Sequence, residues 1–358
     1  MKTADNRSKT KKIIKITALS LVGLILIGVI VAGIILYGRI ASMLSIKHVG
    51  DDLYTMNFQQ DYHLDKALDA HIKNENDLLR FVCDDMLFGY QLDAVPEKYA
   101  CSAFITPTPD GEYLVGRNFG LGGSDTLCLY THPNDGYASM STVSTDMISV
   151  GGDNEYGTLS FFGRAALLSA PYMCVDGMNE KGLSASLLDM DLGETHMYSD
   201  RPDITVTMAI RLILDRAASV DEAIGLLEQY NIHSGHGWTQ HIFIADASGD
   251  AAVAEWYNDK MRVVKSPICT NFRMSDKFLE GDFSGQCDRF DLLDNALKEK
   301  PKNTAEDSMK LLEAVKQEDP VYNMFTEWSV VYDLTDFSAD YVVNMDYGTV
   351  YHLDPKDF

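Results

Sequence analysis

CSAFITPTPDGEYLVGRNFG, residues 101–120, is the stretch on which the reading of the chain turns. Cys101–Ile105 and Tyr113–Arg117 read as strands, and Asp110-Gly111 between them supplies a turn, so the stretch predicts an antiparallel hairpin. Such a hairpin brings position 117 back towards position 101 and sets a guanidinium near a thiol. Positive charge stabilises thiolate, the nucleophilic form of cysteine. Taken alone, a cysteine in a strand reads more simply as a small buried hydrophobe.

Towards the C-terminus, Asn134-Asp135-Gly136 marks a turn before a strand at Tyr137–Val143, and the Gly-rich, aromatic residues 145–170 suit a loop that shapes a pocket. Residues 171–190 read as strand, turn and strand. Two helices are expected next, Ile204–Ala218 and Val220–Gln229, the second opened by Ser219 with Glu222 three residues on. Strands follow at His241–Ala245, Ala251–Trp256, Met261–Val264 and Ile268–Thr270, then helices at Gln286–Lys298 and Asp307–Lys316. Strands around Ser329–Leu334, Tyr341–Asn344 and Thr349–His352 close the chain. This order is α+β with mostly antiparallel pairing.

Towards the N-terminus the chain changes character. Of 30 Lys and Arg and 53 Asp and Glu, residues 1–50 hold eight basic residues and one acid, so the remainder is strongly anionic. A polyanion has no means of gripping a phosphate backbone, and nucleic acid is set aside as a partner. Ile16–Tyr37 runs 22 residues without a charge. At about 1.5 Å per residue it matches the ~30 Å hydrocarbon core, and it is longer than a signal-peptide apolar region. Five basic residues precede Ile13, which places the tail in the cytoplasm and everything after Arg39 outside. The expected organisation is a cytoplasmic tail (1–12), a transmembrane signal anchor (13–38), a juxtamembrane segment (39–100) with amphipathic helices within Leu64–Phe88, and a folded domain (101–358). A single-pass protein of the cell membrane with an extracytoplasmic domain follows.

CSAF, the Asp-Gly turn and GRNF, with 16 residues from Cys101 to Arg117, together resemble the linear amide C–N hydrolases, the choloylglycine hydrolase and penicillin V acylase family of amino-terminal-nucleophile hydrolases. VDGMNEKGLSASLL (175–188), SVDEAIGLLEQY (219–230), AVAEWYNDKMRVV (252–264), CTNFRM (269–274), CDRFDLL (287–293) and EWSVVYDLT (327–335) look like family landmarks in family order. The resemblance implies a four-layer αββα sandwich and hydrolysis of a linear amide such as a conjugated bile salt, a phenoxyacyl penicillin or another N-acyl amine. Cys101 would be the nucleophile and its own α-amino group the base. Arg117 and Arg289 would favour thiolate, Asn271 would donate to the tetrahedral oxyanion, and Asp189 would stand in the region that completes the oxyanion hole. No cofactor is implied, and the expected partner is a small-molecule amide.

Two departures shape the expectations. The family aspartate that holds the α-amino group, three residues after the arginine, is Gly120 here; neither Asp110 nor Asp125 stands at that position. A hundred residues precede Cys101, so a free α-amine requires a cut between Ala100 and Cys101, and autocatalytic cleavage is expected there. The rival reading is a membrane-anchored binding protein that keeps the fold without turnover. His233, His236 and His241 read as a surface loop rather than a metal site, and neither Gly122-Gly123 nor Gly151-Gly152 forms a phosphate loop. Six cysteines in an exported domain allow three disulfides without specifying any.

Overall fold

The computed structural model describes residues 2–87, 89, 100–121, 125–148, 159–190, 192–234, 239–276, 283–319 and 324–358. Tyr99, Gly122-Gly123, Gly151-Gly152, His236 and residues 149–158 of the expected pocket loop lie outside them. Among the described residues, two large sheets and a small two-stranded one form the domain. The first runs Lys47–Gly50, Leu53–Phe58, Thr126–Thr131, Ser139–Ser144, Asp176–Asn179, Leu183–Met190, Thr239–Asp246, Ala251–Tyr257, Lys260–Lys265. The second runs Ile268–Thr270, Ala100–Pro107, Tyr113–Leu121, Met324–Asp333, Ser338–Val343, Tyr351–Leu353, with Glu318–Asp319 paired to Met324–Asp333. Helices Val206–Arg216 and Val220–Leu227 lie on the first sheet, and Asp288–Glu299 and Ala305–Ala314 on the second. Helix, sheet, sheet and helix thus stack in four layers.

Strands covered on both faces carry no solvent-facing half. Leu183–Met190 and Thr239–Asp246 are buried at every position, which is why they read as continuous runs rather than alternations. Pairing between the described strands is antiparallel except where Leu53–Phe58 meets Thr126–Thr131 and where Asn231–His233 meets Asp203–Thr205. The latter pair corrects one helix boundary. The expected start at Ile204 is early, because Asp203–Thr205 is strand and the Thr205 hydroxyl accepts the Met208 N–H to cap the helix. Within 145–170, the described residues are mostly helical turns, Thr145–Ile148, Phe161–Ala166 and the start of Leu167–Tyr172.

Lys2–Ser45 is one continuous helix, and its Ile14–Val31 stretch is long and apolar enough to cross a membrane and wholly unburied. Its last turns are clamped to the domain. Arg39 donates to the Met86 and Asp85 carbonyls at 3.0 and 2.9 Å, and Arg164 donates to the Met43 carbonyl at 2.6 Å. The segment that follows is built into the fold. Leu53, Met56 and Phe58 are buried, and helices Leu64–Leu68 and Glu75–Met86 bury Leu64, Ala67, Leu68, Leu78, Leu79, Val82 and Met86 in the same apolar core as both sheets. Removing the fully buried Leu78 side chain leaves a cavity, so Leu78→Ala is expected to cost about 2–5 kcal/mol. Chemical denaturation of the full chain measures it, and a silent substitution would mean that 64–86 is not part of the cooperative unit.

Candidate active site

The hairpin register fixes what meets Cys101. Cys101 pairs with Phe119 and Ala103 with Arg117, so Arg117 stands one diagonal step from Cys101 on the face that looks into the sandwich. Arg117 is fully buried. A charge there survives only if it is neutralised and hydrogen-bonded. Its Nε donates to Asp176 Oδ2 at 3.3 Å, Nη1 to the Asn118 carbonyl at 2.8 Å and Nη2 to the Leu187 carbonyl at 2.5 Å, and its guanidinium lies over the Phe119 ring. Asp176 also takes the Trp328 indole N–H at 3.1 Å and the Tyr332 hydroxyl at 2.7 Å. Burial pushes the Cys101 thiol above its ordinary value; the charge and hydrogen bond of Arg117 pull against that rise, with a smaller pull from Arg289.

On the other side of Cys101 the second sheet ends at Ile268–Thr270, and Asn271 begins the turn that follows. The Cys101 N–H donates to Asn271 Oδ1 at 2.6 Å, and Arg289, near the start of helix Asp288–Glu299, donates to that same oxygen at 2.8 Å and to the Cys101 carbonyl at 2.5 Å. The Asn271 Nδ2 donates to the Asp189 carbonyl at 2.5 Å. Cys101, Arg117, Asn271 and Arg289 therefore converge, with Asp189 joined to them through its main chain, and the Asp189 carboxylate adds to the upward push on the thiol. Asn271 presents its carbonyl end to the Cys101 nitrogen, where the sequence comparison had implied only a donor.

Position 120 has no room for a side chain. Ala100 continues the strand and pairs with Gly120, and a Cβ at 120 would stand 2.6 Å from the Ala100 carbonyl oxygen. Glycine here goes with the unbroken strand that runs through Ala100 into Cys101.

Reading the sequence did not single out Asp176, although it lies in the VDGMNEKGL landmark, nor the role of His241. Of the three histidines expected on a surface loop, His233 and His241 are instead strand residues. His233 and His241 are 1% and 0% exposed, His233 against Asp203 at 2.9 Å and His241 against Glu255 at 3.1 Å. The physical reason is that both lie in strands whose outer faces are covered, so their rings need buried acceptors. Burial acts to raise Glu255, but the His241 hydrogen bond and charge, with Ser275 and the Met274 N–H, outweigh it and hold Glu255 at about 2. None of the six cysteines is in a disulfide, and among the described residues no group of three or more His, Cys, Asp or Glu could hold a metal ion.

Two outcomes follow from these contacts. Gly120→Ala is expected to destabilise the unbroken chain by about 1–3 kcal/mol through overpacking against Ala100, read by chemical denaturation. Glu255 is held below its ordinary 4.5, so the stability it contributes is full above that value and is lost as pH falls towards about 2. Acid denaturation of Glu255→Gln should lack this part of the loss, and an unchanged acid limb would sink the assignment.

The family model described as Acyl-coenzyme A:6-aminopenicillanic acid acyl-transferase matches residues 123–338. That range takes in Asp189, Asn271 and Arg289 and begins beyond Cys101 and Arg117. Penicillin V acylase of Pectobacterium atrosepticum is 26% identical over 205 residues, 53% of this chain and 52% of that protein, so the chain spans about half the length of this relative. Conjugated bile acid hydrolase from Clostridium perfringens superposes with a TM-score of 0.55 at 16% identity, over 72% of this chain and 93% of that one. Penicillin V acylase from Agrobacterium tumefaciens gives 0.52 at 19% identity, over 72% and 86%. At such identities these two structures speak for the fold.

Proposed function

The chain belongs to the acyl-coenzyme A:6-aminopenicillanic acid acyl-transferase family, and from that premise we propose that it hydrolyses a linear amide with Cys101 as nucleophile. The observation that carries the reading is the convergence on one cysteine of a buried guanidinium, a second arginine and an asparagine amide, all joined by hydrogen bonds. The Cys101 sulfur attacks the amide carbonyl carbon, its proton passing to a base, and the carbonyl electrons move onto oxygen. The Asn271 amide is the donor we assign to that oxyanion, a contact whose loss typically costs about 10²–10³ in rate. Collapse expels the amine, which takes the proton, and leaves an acyl-cysteine thioester that water then hydrolyses.

The thiol is pushed up by burial, so it needs a base. Cutting the chain between Ala100 and Cys101 converts the Cys101 nitrogen from a peptide N–H into an amine that titrates near pH ~8, at the position Asn271 Oδ1 already holds. Residues 1–100 would stay in place after the cut, because Leu53–Phe58, Leu64–Leu68 and Glu75–Met86 are packed into the common core. The apolar helix would then keep the enzyme at the membrane, its domain outside, among small amides of the kinds named for the relatives, penicillin V and conjugated bile acids.

Gly120 favours a second reading, ligand binding without turnover, since no carboxylate at that position holds an amine. Penicillin V and a glycine-conjugated bile acid, incubated with full-length protein from membranes, separate the two. Release of the free amine, abolished by Cys101→Ala and rising with pH towards about 8, supports hydrolysis. Thermal stabilisation by either compound with no product supports binding. Amino-terminal sequencing decides the base. A mature chain starting Cys-Ser-Ala-Phe is expected, and an active preparation holding only uncut chain would require a different proton acceptor.

A further inference from the structure

Behind the Asn271 turn runs a sealed chain of hydrogen bonds that the proposed reaction does not use. Cys269 Sγ lies 3.5 Å from His241 Nε2, and His241 Nδ1 lies 3.1 Å from Glu255 Oε1. Glu255 then takes the Met274 N–H on Oε1 at 2.8 Å and the Ser275 N–H on Oε2 at 2.9 Å. His241 and Glu255 are direct partners on neighbouring strands of the first sheet, whereas Cys269 and the turn belong to the second. The chain therefore crosses the interior from one sheet to the other. His241 thus bridges the Cys269 sulfur and the Glu255 carboxylate through its two ring nitrogens.

Cysteine, histidine and acid in this order have the form of a nucleophilic triad. The charge beside the sulfur argues against that role. Cys269, His241 and Glu255 are buried, as Cys101 is, but where Cys101 has Arg117 pulling against the rise, burial together with the Glu255 charge pushes the Cys269 thiol well above its ordinary value. What the chain does reach is the backbone three and four residues beyond Asn271. Asn271 in turn binds the Cys101 nitrogen, Arg289 and the Asp189 carbonyl.

We propose that Glu255, oriented by His241, is a positioning residue: its carboxylate pins the 271–276 turn to the first sheet and so holds the Asn271 side chain on Cys101. The kinetic half of this proposal rests on the amide-hydrolase reading; the structural half does not. Glu255→Gln keeps the side-chain volume and replaces one acceptor oxygen with a donor, which leaves one of the two backbone N–H groups without its partner.

The test uses full-length protein in detergent micelles and two readouts. Hydrogen exchange of a peptide covering 271–276 should quicken about tenfold or more in Glu255→Gln, while exchange at the hairpin 101–120 stays as in the parent. With penicillin V or a glycine-conjugated bile acid as substrate, kcat should fall about 10–10²-fold with little change in KM, as expected of a misplaced catalytic group. In an Asn271→Ala background the same substitution should cost less than about threefold, because the group it positions is gone. Unchanged exchange at 271–276 overturns the proposal, and so do kinetic effects that simply multiply. Failure of the parent protein to turn over either amide would count against the hydrolase reading, and the exchange readout would still decide the positioning role. If Glu255→Gln does not fold, His241→Gln, which removes the ring that orients the carboxylate, is read by the same two outcomes.

Discussion

A guanidinium with no exposed surface, lodged between two β-sheets, is the condition the rest of this structure meets. Transferring an unpaired charge into such an interior would cost more than the net stability of most domains. The fold supplies Arg117 with the Asp176 carboxylate, two main-chain carbonyls and an aromatic face. Asp176 is saturated in its turn by Trp328 and Tyr332 from the second sheet. Register on both sheets is thereby fixed from within, since a slip of one residue would turn Arg117 towards the helices and strand Asp176. The same charge bears on the sulfur of Cys101. Holding the sandwich together and tuning a thiol are consequences of one placement.

Much of the arrangement was readable from local signals. The hairpin 101–120, the capped helix after Ser219 and the strands from 241 to 270 follow from turn chemistry and apolar runs, and each stands within a residue or two of its expected place, except that the second hairpin strand runs four residues past Arg117 to Leu121. The strands Lys47–Gly50 and Leu53–Phe58 were missed. They are short, separated by an acidic Asp51-Asp52 turn, and stabilised by a parallel neighbour more than seventy residues away, which no local pattern displays. The histidines were misplaced for a related reason. HSGHGWTQH looks polar and loop-like, and only the long-range acceptors Asp203 and Glu255 make its His233 and His241 interior residues. Asp176 was hidden in plain view, because an aspartate before glycine is read as a turn residue until its partner across the sandwich is known.

The site residues divide in the same way. Cys101, Arg117, Asn271, Arg289 and Asp189 could be named from motif positions, and the structure gathers them. Their hydrogen-bond polarity could not. Which end of an amide meets the Cys101 nitrogen depends on what Arg289 and the Asp189 carbonyl offer, and those are facts of packing. The meaning of Gly120 likewise needed the strand partner. In sequence it is an absent carboxylate, and in space it is the clearance that Ala100 requires.

The helix Lys2–Ser45 leaves no slack between its apolar stretch and the domain. Tyr37 is followed at once by Gly38, whose backbone abuts Gln59 and Gln60, and by Arg39 in its clamp. A flexible tether would let a domain sample every orientation within its reach. Here the helix is a rigid axle. On the anchored reading, the attitude of Cys101 and its neighbours towards the bilayer is inherited from the tilt of that axle, and diffusion of the whole protein is reduced to rotation and glide in a plane. An amphiphilic amide resting in the same plane would be met at a constant height and a constant angle, so that part of the orientational search is completed before substrate and site ever touch.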